Sequence, residues 1–487
     1  MYFRKTILVF FSFFFSAVMS AQEIRLKKGD VTDNIKLNDS IEETYAVYLP
    51  QNYDAKNPPA VIFILDPDGD GKQSIQLFRK TAEEQSYVIA SSNRKIDAAS
   101  VENNIKQVLE FMNGFFRTVP VDPNSLYVAG FNEAGQIASA LPLVNERVTG
   151  VLAINNAWIN PEFAENRKIP YTFSAIVGTK DYTRYAIEDI IDFLDDENFP
   201  SEINYFEDGP ESWPDTNTIY NAVASFTLNA IKEGKRQKDT TLVNSIFENE
   251  VAAIEALRRE RSYYTAWLQL KKAEDKFDDY DRFDDQLKEL KKSIRKNKAF
   301  KQQRRNWYTL KEEEMLQRDD YTYFLETDVF TANFENIGWW ASQLDNLKEG
   351  KSNNDLLERN KAFRLEGYLK AIVSNAYKDL ISSKASLDLK IYISILATIV
   401  EKENPEGYLS IIKLAGHDGD YQTAILYLED LLKTGYDDYQ KLYELEGILD
   451  LQMSNEFNQL IEKYGGTAKY LVFDTEDQSE ENSTEQN

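Results

Sequence analysis

The feature that most constrains this chain is a change of period near residue 234. From about residue 45 to residue 231, short β-branched or aromatic runs alternate with stretches of helical spacing. That is the pattern of a mostly parallel sheet with helices on its faces. Strands are predicted at residues 45–49, 60–65, 88–91, 126–129, 150–154, 173–177 and 202–206, and several are unbroken apolar runs, as strands covered on both faces must be. After Gly234, proline becomes scarce and apolar residues recur at helical intervals. Ala266, Leu270, Ala273 and Phe277 form one such stripe, and Tyr421, Ala424, Ile425, Leu428, Leu431 and Leu432 another. An all-α second half follows. Residues 387–396 alternate in a way that also suits a strand, but helical neighbours on both sides favour a helix.

At the amino end, Arg4 and Lys5 precede an apolar run over residues 7–15 and the small residues Ser16, Ala17, Ser20 and Ala21. This is the order of a secretory signal peptide, with cleavage expected after Ala21. The run is shorter than the roughly 20 residues that span a bilayer, and no later segment is apolar enough. The mature chain is therefore expected in the periplasm or outside the cell, not spanning a membrane. It has no cysteine, which excludes disulfides, thiolate chemistry and a lipid-anchoring cysteine. A net charge of -25 without a concentrated basic block repels a phosphate backbone, so nucleic acid is not an expected partner. The expected organisation is a signal peptide (1–21), a sheet-and-helix domain (22–235), a helical domain (240–466) and a disordered acidic tail (474–487) without aromatic or large aliphatic residues.

Within the first half, Gly130-Phe131-Asn132-Glu133-Ala134-Gly135 follows a predicted strand and opens a predicted helix. It resembles the nucleophile elbow of α/β-hydrolases, where a serine flanked by glycines is held on a strained turn above the sheet. Asn132 stands at the serine position. The resemblance runs over about residues 45–231. Tyr-Ala-Val-Tyr-Leu-Pro-Gln-Asn-Tyr at 45–53 looks like the first strand and turn of secreted esterases related to the polyhydroxybutyrate depolymerases and feruloyl esterases. Residues 66–71, Asp-Pro-Asp-Gly-Asp-Gly, look like the loop that supplies an oxyanion-hole amide. Val-Gly-Thr-Lys-Asp at 177–181 resembles the strand end that carries the acid, which implies Asp181 in that role. Gly-Pro-Glu-Ser-Trp-Pro at 209–214 matches the loop that carries the histidine, which implies Glu211 at the histidine position.

The resemblance thus implies an α/β-hydrolase fold whose vestigial triad positions are Asn132, Asp181 and Glu211. An asparagine side chain has no ionisable hydroxyl or thiol, and a carboxylate does not replace imidazole as its activating base. A working serine hydrolase is not expected; the alternative is a divergent esterase that uses other residues of the same fold. The single histidine, His417, falls in the helical half and is expected on the surface of a helix turn. Asp181 also suits a loop carboxylate capping the helix that begins near Arg184. Trp213 is a candidate to fill the former pocket.

Residues 66–71 also fit the first half of a calcium loop, but Leu77 sits where the bidentate glutamate is required. One histidine and no cysteine leave no mixed metal-ligand set, and no phosphate-binding glycine loop is present. No cofactor or metal is expected.

In the helical half, Gly419, Tyr421, Ala424, Leu428 and Leu431 fall at the spacing of one tetratricopeptide repeat, with a weaker echo over residues 264–277. Such helix pairs stack into an extended, concave surface. Aromatic clusters at Trp339-Trp340 and at Tyr321, Tyr323 and Phe324 exceed what simple stacking of amphipathic helices requires; most are expected in the core and the rest on such a surface. These features predict a non-catalytic binding or scaffold protein that docks a protein partner through residues 245–464 in an envelope-associated assembly.

Overall fold

The computed structural model describes residues 26–38, 41–96, 100–167, 170–207, 209 and 212–470. The expected signal peptide and acidic tail lie outside them. Among the described residues eight strands form one sheet: β1 (Val31–Asn38), β2 (Ile41–Tyr48), β3 (Val61–Leu65), β4 (Val88–Ser92), β5 (Leu126–Phe131), β6 (Val148–Ile154), β7 (Thr172–Gly178) and β8 (Ser201–Phe206). Their order is β1-β2-β4-β3-β5-β6-β7-β8. β2 pairs antiparallel with both β1 and β4, and every pair from β4 to β8 is parallel. Helices α1 (Gly71–Gln85), α2 (Val101–Thr118), α3 (Glu133–Val144), α4 (Pro161–Asn166) and α5 (Arg184–Asp196) connect the strands from β3 to β8, and α6 (Thr216–Lys232) follows β8. Parallel neighbours need such crossovers, which cover both faces and leave β3, β5 and β7 buried along their whole length. This is the α/β-hydrolase arrangement.

The seven predicted strands are present, and β1 is an eighth that the sequence analysis did not find. Its Val-Thr-Asp-Asn-Ile-Lys-Leu-Asn buries Ile35 and Leu37, and a register shift next to Asn34, whose φ is 57°, interrupts its alternation. A bulged, polar edge strand carries little apolar signal.

The remainder is helical: α7 (Thr240–Arg259), α8 (Tyr263–Lys276), α9 (Asp284–Lys296), α10 (Lys298–Thr331), α11 (Ile337–Gly350), α12 (Leu356–Ser382), α13 (Leu387–Val400), α14 (Pro405–Asp418), α15 (Tyr421–Lys433), and the short α16 (Tyr439–Tyr443), α17 (Leu449–Gln452) and α18 (Asn455–Lys463). The ambiguous segment is therefore helix α13. Gly419, at φ 85°, ends α14 with its N–H on Ala415 and Gly416 carbonyls, and Asp420 caps α15 through the Thr423 N–H at 3.1 Å. Ala424, Leu428 and Leu431 are buried as the repeat spacing requires, whereas Tyr421 is exposed. By contrast α10, at 34 residues, is one helix as long as a whole two-helix repeat.

These helices do not form a separate layer throughout. One apolar core runs from Val47, Phe63, Val128 and Val177 of the sheet into Ile246 and Phe247 of α7, Leu270 of α8, Ile294 of α9 and Trp307 of α10. A second core holds the other half of α10 against α11, α12 and α13 through Tyr321, Trp340, Leu369 and Leu396.

Candidate functional site

The turn from β5 into α3 places Asn132 at φ 49° and ψ −122°. This is far from the left-handed helical region that asparagine tolerates, so the residue's own preference does not explain it. Sparsely populated backbone of this kind costs roughly 1–3 kcal/mol and survives where its surroundings over-determine it. Here α3 crosses close over the strands. A Cβ on Gly130 would lie 2.1 Å from the Ala134 carbonyl oxygen, and one on Gly135 would lie 2.2 Å from that of Asn156. The Asn132 N–H donates to the Ile154 carbonyl at 2.9 Å, and the Gly135 N–H donates to the Asn132 carbonyl at 2.8 Å. The elbow is thus held by glycine contacts and backbone bonds that do not depend on the side chain at its tip.

The neighbouring elements are closed inward. Trp213 stacks on Phe131, with ring centroids 4.1 Å apart and planes 19° from parallel, covering the residue next to Asn132. In the loop after β3, Pro67 has no amide hydrogen, the Asp68 N–H goes to Asp66 Oδ1 at 2.8 Å and the Gly69 N–H to the Asp66 carbonyl at 3.2 Å. These backbone positions are spent within the loop and offer no donor to an oxyanion. Asp66 also accepts from Ser74 Oγ, and Asp70 caps α1 through the Gln73 N–H at 3.0 Å. The carboxylates that raised the calcium reading thus hold a loop-to-helix junction.

Asp181 lies in the loop from β7 to α5 and is 1% exposed. Its Oδ1 accepts from the Thr183 N–H at 2.8 Å and the Thr183 hydroxyl at 2.6 Å. It therefore bonds the cap residue of α5, which is Thr183 itself. Its Oδ2 has no hydrogen-bond partner among the described residues. Burial pushes the carboxyl up to about 6, against the pull of the Thr183 hydrogen bonds and of Arg318 and Arg364. Tyr182, next along the loop, is raised by burial and by the carboxylates of Asp181 and Glu133, the latter adjoining Asn132. Glu211 lies outside the described residues. His417 is exposed in the last turn of α14, against Gly447.

What the sequence analysis missed is what lies over the loop after β7. Arg364 of α12 reaches the Thr179 carbonyl at 2.7 Å and Glu314 of α10 at 2.7 and 3.1 Å. It also donates to the Tyr185 hydroxyl at 3.1 Å, and Arg318 donates to Glu314 at 2.7 Å. Asn360 donates to the Thr179 hydroxyl at 3.2 Å, and that hydroxyl donates to Glu207 at 2.8 Å. Glu314, Arg318 and Arg364 are 0, 7 and 3% exposed. Gly367 of α12 leaves room for Tyr182, 3.2 Å from where a Cβ would stand. No local signal distinguishes these charges from a solvated helix face. Their burial arises because α10 and α12 lie across the carboxyl ends of β7 and β8.

No protein-family model and no curated protein matches the chain. Among solved structures it is similar to a fluorophosphonate-binding serine hydrolase of Staphylococcus aureus, at 11% identity over 41% of this chain and 97% of that one, with a TM-score of 0.33. It is also similar to esterase B of Lactobacillus rhamnosis (12% identity, 44% and 91% covered, TM-score 0.35) and to Est1E of Butyrivibrio proteoclasticus (12% identity, 40% and 97% covered, TM-score 0.32).

Proposed function

We propose that this chain is a non-catalytic pseudo-hydrolase, exported to the periplasm or beyond, that serves as a binding or scaffold protein. The observation that carries this reading is Asn132 at the tip of the elbow. The strained turn is kept, while the side chain on it has no ionisable hydroxyl or thiol to serve as nucleophile. The inward-turned amides of the loop after β3 and the ring of Trp213 support the same reading, because acyl transfer needs donors aimed at a developing oxyanion. Its working surface is the helical region over residues 245–464, including the tetratricopeptide-like pair α14–α15, and its partner is a protein of an envelope-associated assembly. Residues 22–235 and 240–466 are the two units proposed.

The test uses the full chain, because α7 to α10 share the core of the sheet. Incubation with p-nitrophenyl acetate and with a fluorophosphonate probe should give neither turnover nor labelling, and tagged protein recovered from native envelopes should carry a specific partner. Stoichiometric labelling of any serine, together with turnover, replaces this reading with that of a divergent esterase.

A further inference from the structure

The aromatic residues of α10 divide by face. Tyr321 and Leu325 enter the core, while Tyr308, Leu316, Tyr323 and Phe330 are 70, 61, 64 and 86% exposed. These four recur at intervals of seven or eight residues, so at about 100° per residue they form one stripe on the side of the helix opposite its buried stripe. Between them Arg305, Glu312, Asp319 and Glu326 recur every seven residues. Large apolar groups at heptad-like spacing, flanked by charges, make a seam for another helix.

Charge identifies what fits the seam. Residues 298–311 carry Lys298, Lys301, Arg304, Arg305 and Lys311 and no acidic residue, whereas the exposed charges from 312 onward are Glu312, Glu313, Asp319, Asp320 and Glu326. This order opposes the helix macrodipole, which favours acid at the amino end and base at the carboxyl end. The first turn holds no acidic residue and the last turn no basic one. A second copy of the same helix, laid antiparallel, sets each basic half against an acidic half.

We propose that α10 pairs antiparallel with α10 of a second copy of this chain, about a two-fold axis near Met315 and Leu316. Arg305 then faces Glu326 of the second copy, and Tyr308 faces Tyr323 of the second copy. Glu312 meets Asp319 of the second copy, a like-charge contact that weakens the pair. With this axis the seam runs from residue 301 to residue 330, about 44 Å, and at the roughly 10–12 Å width of a helix it covers on the order of 500 Å² on each copy, at the low end for specific interfaces. The association is a weak, salt-sensitive dimer. It is separate from the proposed role of the elbow, and its test reads association alone.

Sedimentation velocity of the full mature chain, from about 1 to about 100 μM, should show a monomer–dimer equilibrium that shifts towards monomer as salt screens the exposed charges. Arg305→Glu and Glu326→Arg each turn two contacts repulsive by symmetry and should weaken the dimer about tenfold. Mixing these two variants pairs unlike charges at both contacts and should restore dimer, and Asp319→Lys alone should tighten it. Because the chain has no cysteine, Leu316→Cys introduces a unique thiol beside the axis that a short bis-maleimide should cross-link. Gln302→Cys, on the order of 40 Å from its copy, should not be cross-linked. Circular dichroism confirms that each variant is folded. A parent chain that stays monomeric throughout overturns the proposal, as do charge variants that dimerise like the parent or a mixture that fails to restore what each variant lost.

Discussion

Replacing Asp181 by asparagine tests the burial of this carboxyl directly. The folded chain holds this carboxyl at about 6 against an ordinary 3.8, so it binds the proton more tightly than the unfolded chain does. Stability must therefore fall as pH rises from about 4 through about 6 and level off above. At about 1.4 kcal/mol per pH unit, ionised Asp181 costs roughly 3 kcal/mol at neutral pH and nothing below about pH 4. Asparagine keeps the oxygen that accepts from Thr183 and binds no proton. Asp181→Asn should accordingly be more stable than the parent by up to about 3 kcal/mol near pH 8 and nearly equal to it near pH 4. Urea unfolding followed by tryptophan fluorescence at both pH values measures this, and the difference between the two proteins cancels the other titrating groups. If the variant is no more stable than the parent at pH 8, or shows the same slope with pH, then Asp181 is not held in its uncharged form by burial and the reasoning fails.

Three further outcomes are expected. Asn132→Ser should leave p-nitrophenyl acetate hydrolysis at the buffer rate, since the single histidine, His417, lies on α14 and the Asp68 and Gly69 amides are spent within the loop after β3; turnover above that rate in a steady-state assay would reveal a base the present geometry does not assign. Gly135→Ala should destabilise the chain by several kcal/mol, because its Cβ lands 2.2 Å from the Asn156 carbonyl oxygen, and an unchanged melting temperature contradicts the tight crossing of α3. Arg364→Ala leaves Glu314 buried without one of its partners, which should cost about 3–5 kcal/mol and speed hydrogen exchange in α12 and the loop after β7; Arg364→Lys should not rescue it, because an ammonium lacks the planar fork.

By itself, the amino-acid sequence determined most of the elements and the identity of the residue at the tip of the elbow. Apolar runs such as Val61–Leu65 read as doubly covered strands because burial on both faces leaves no polar alternation, and the elbow was legible because close crossing of backbones demands glycine at positions 130 and 135. The absence of a nucleophile at 132 needs no structure to be seen. Local pattern failed at β1, where a bulge breaks the period, and at the charges of α10 and α12. Glu314 meets Tyr185 across 129 residues of chain, and Arg364 meets Thr179 across 185. Periodicity reports which face of a helix is apolar over a few turns. It does not report which partner that face meets, nor that a row of helical charges is taken out of water by a loop from another part of the chain. Only the tertiary structure decided that α10 and α12 lie over the loop after β7, and that one face of α10 is exposed among the described residues.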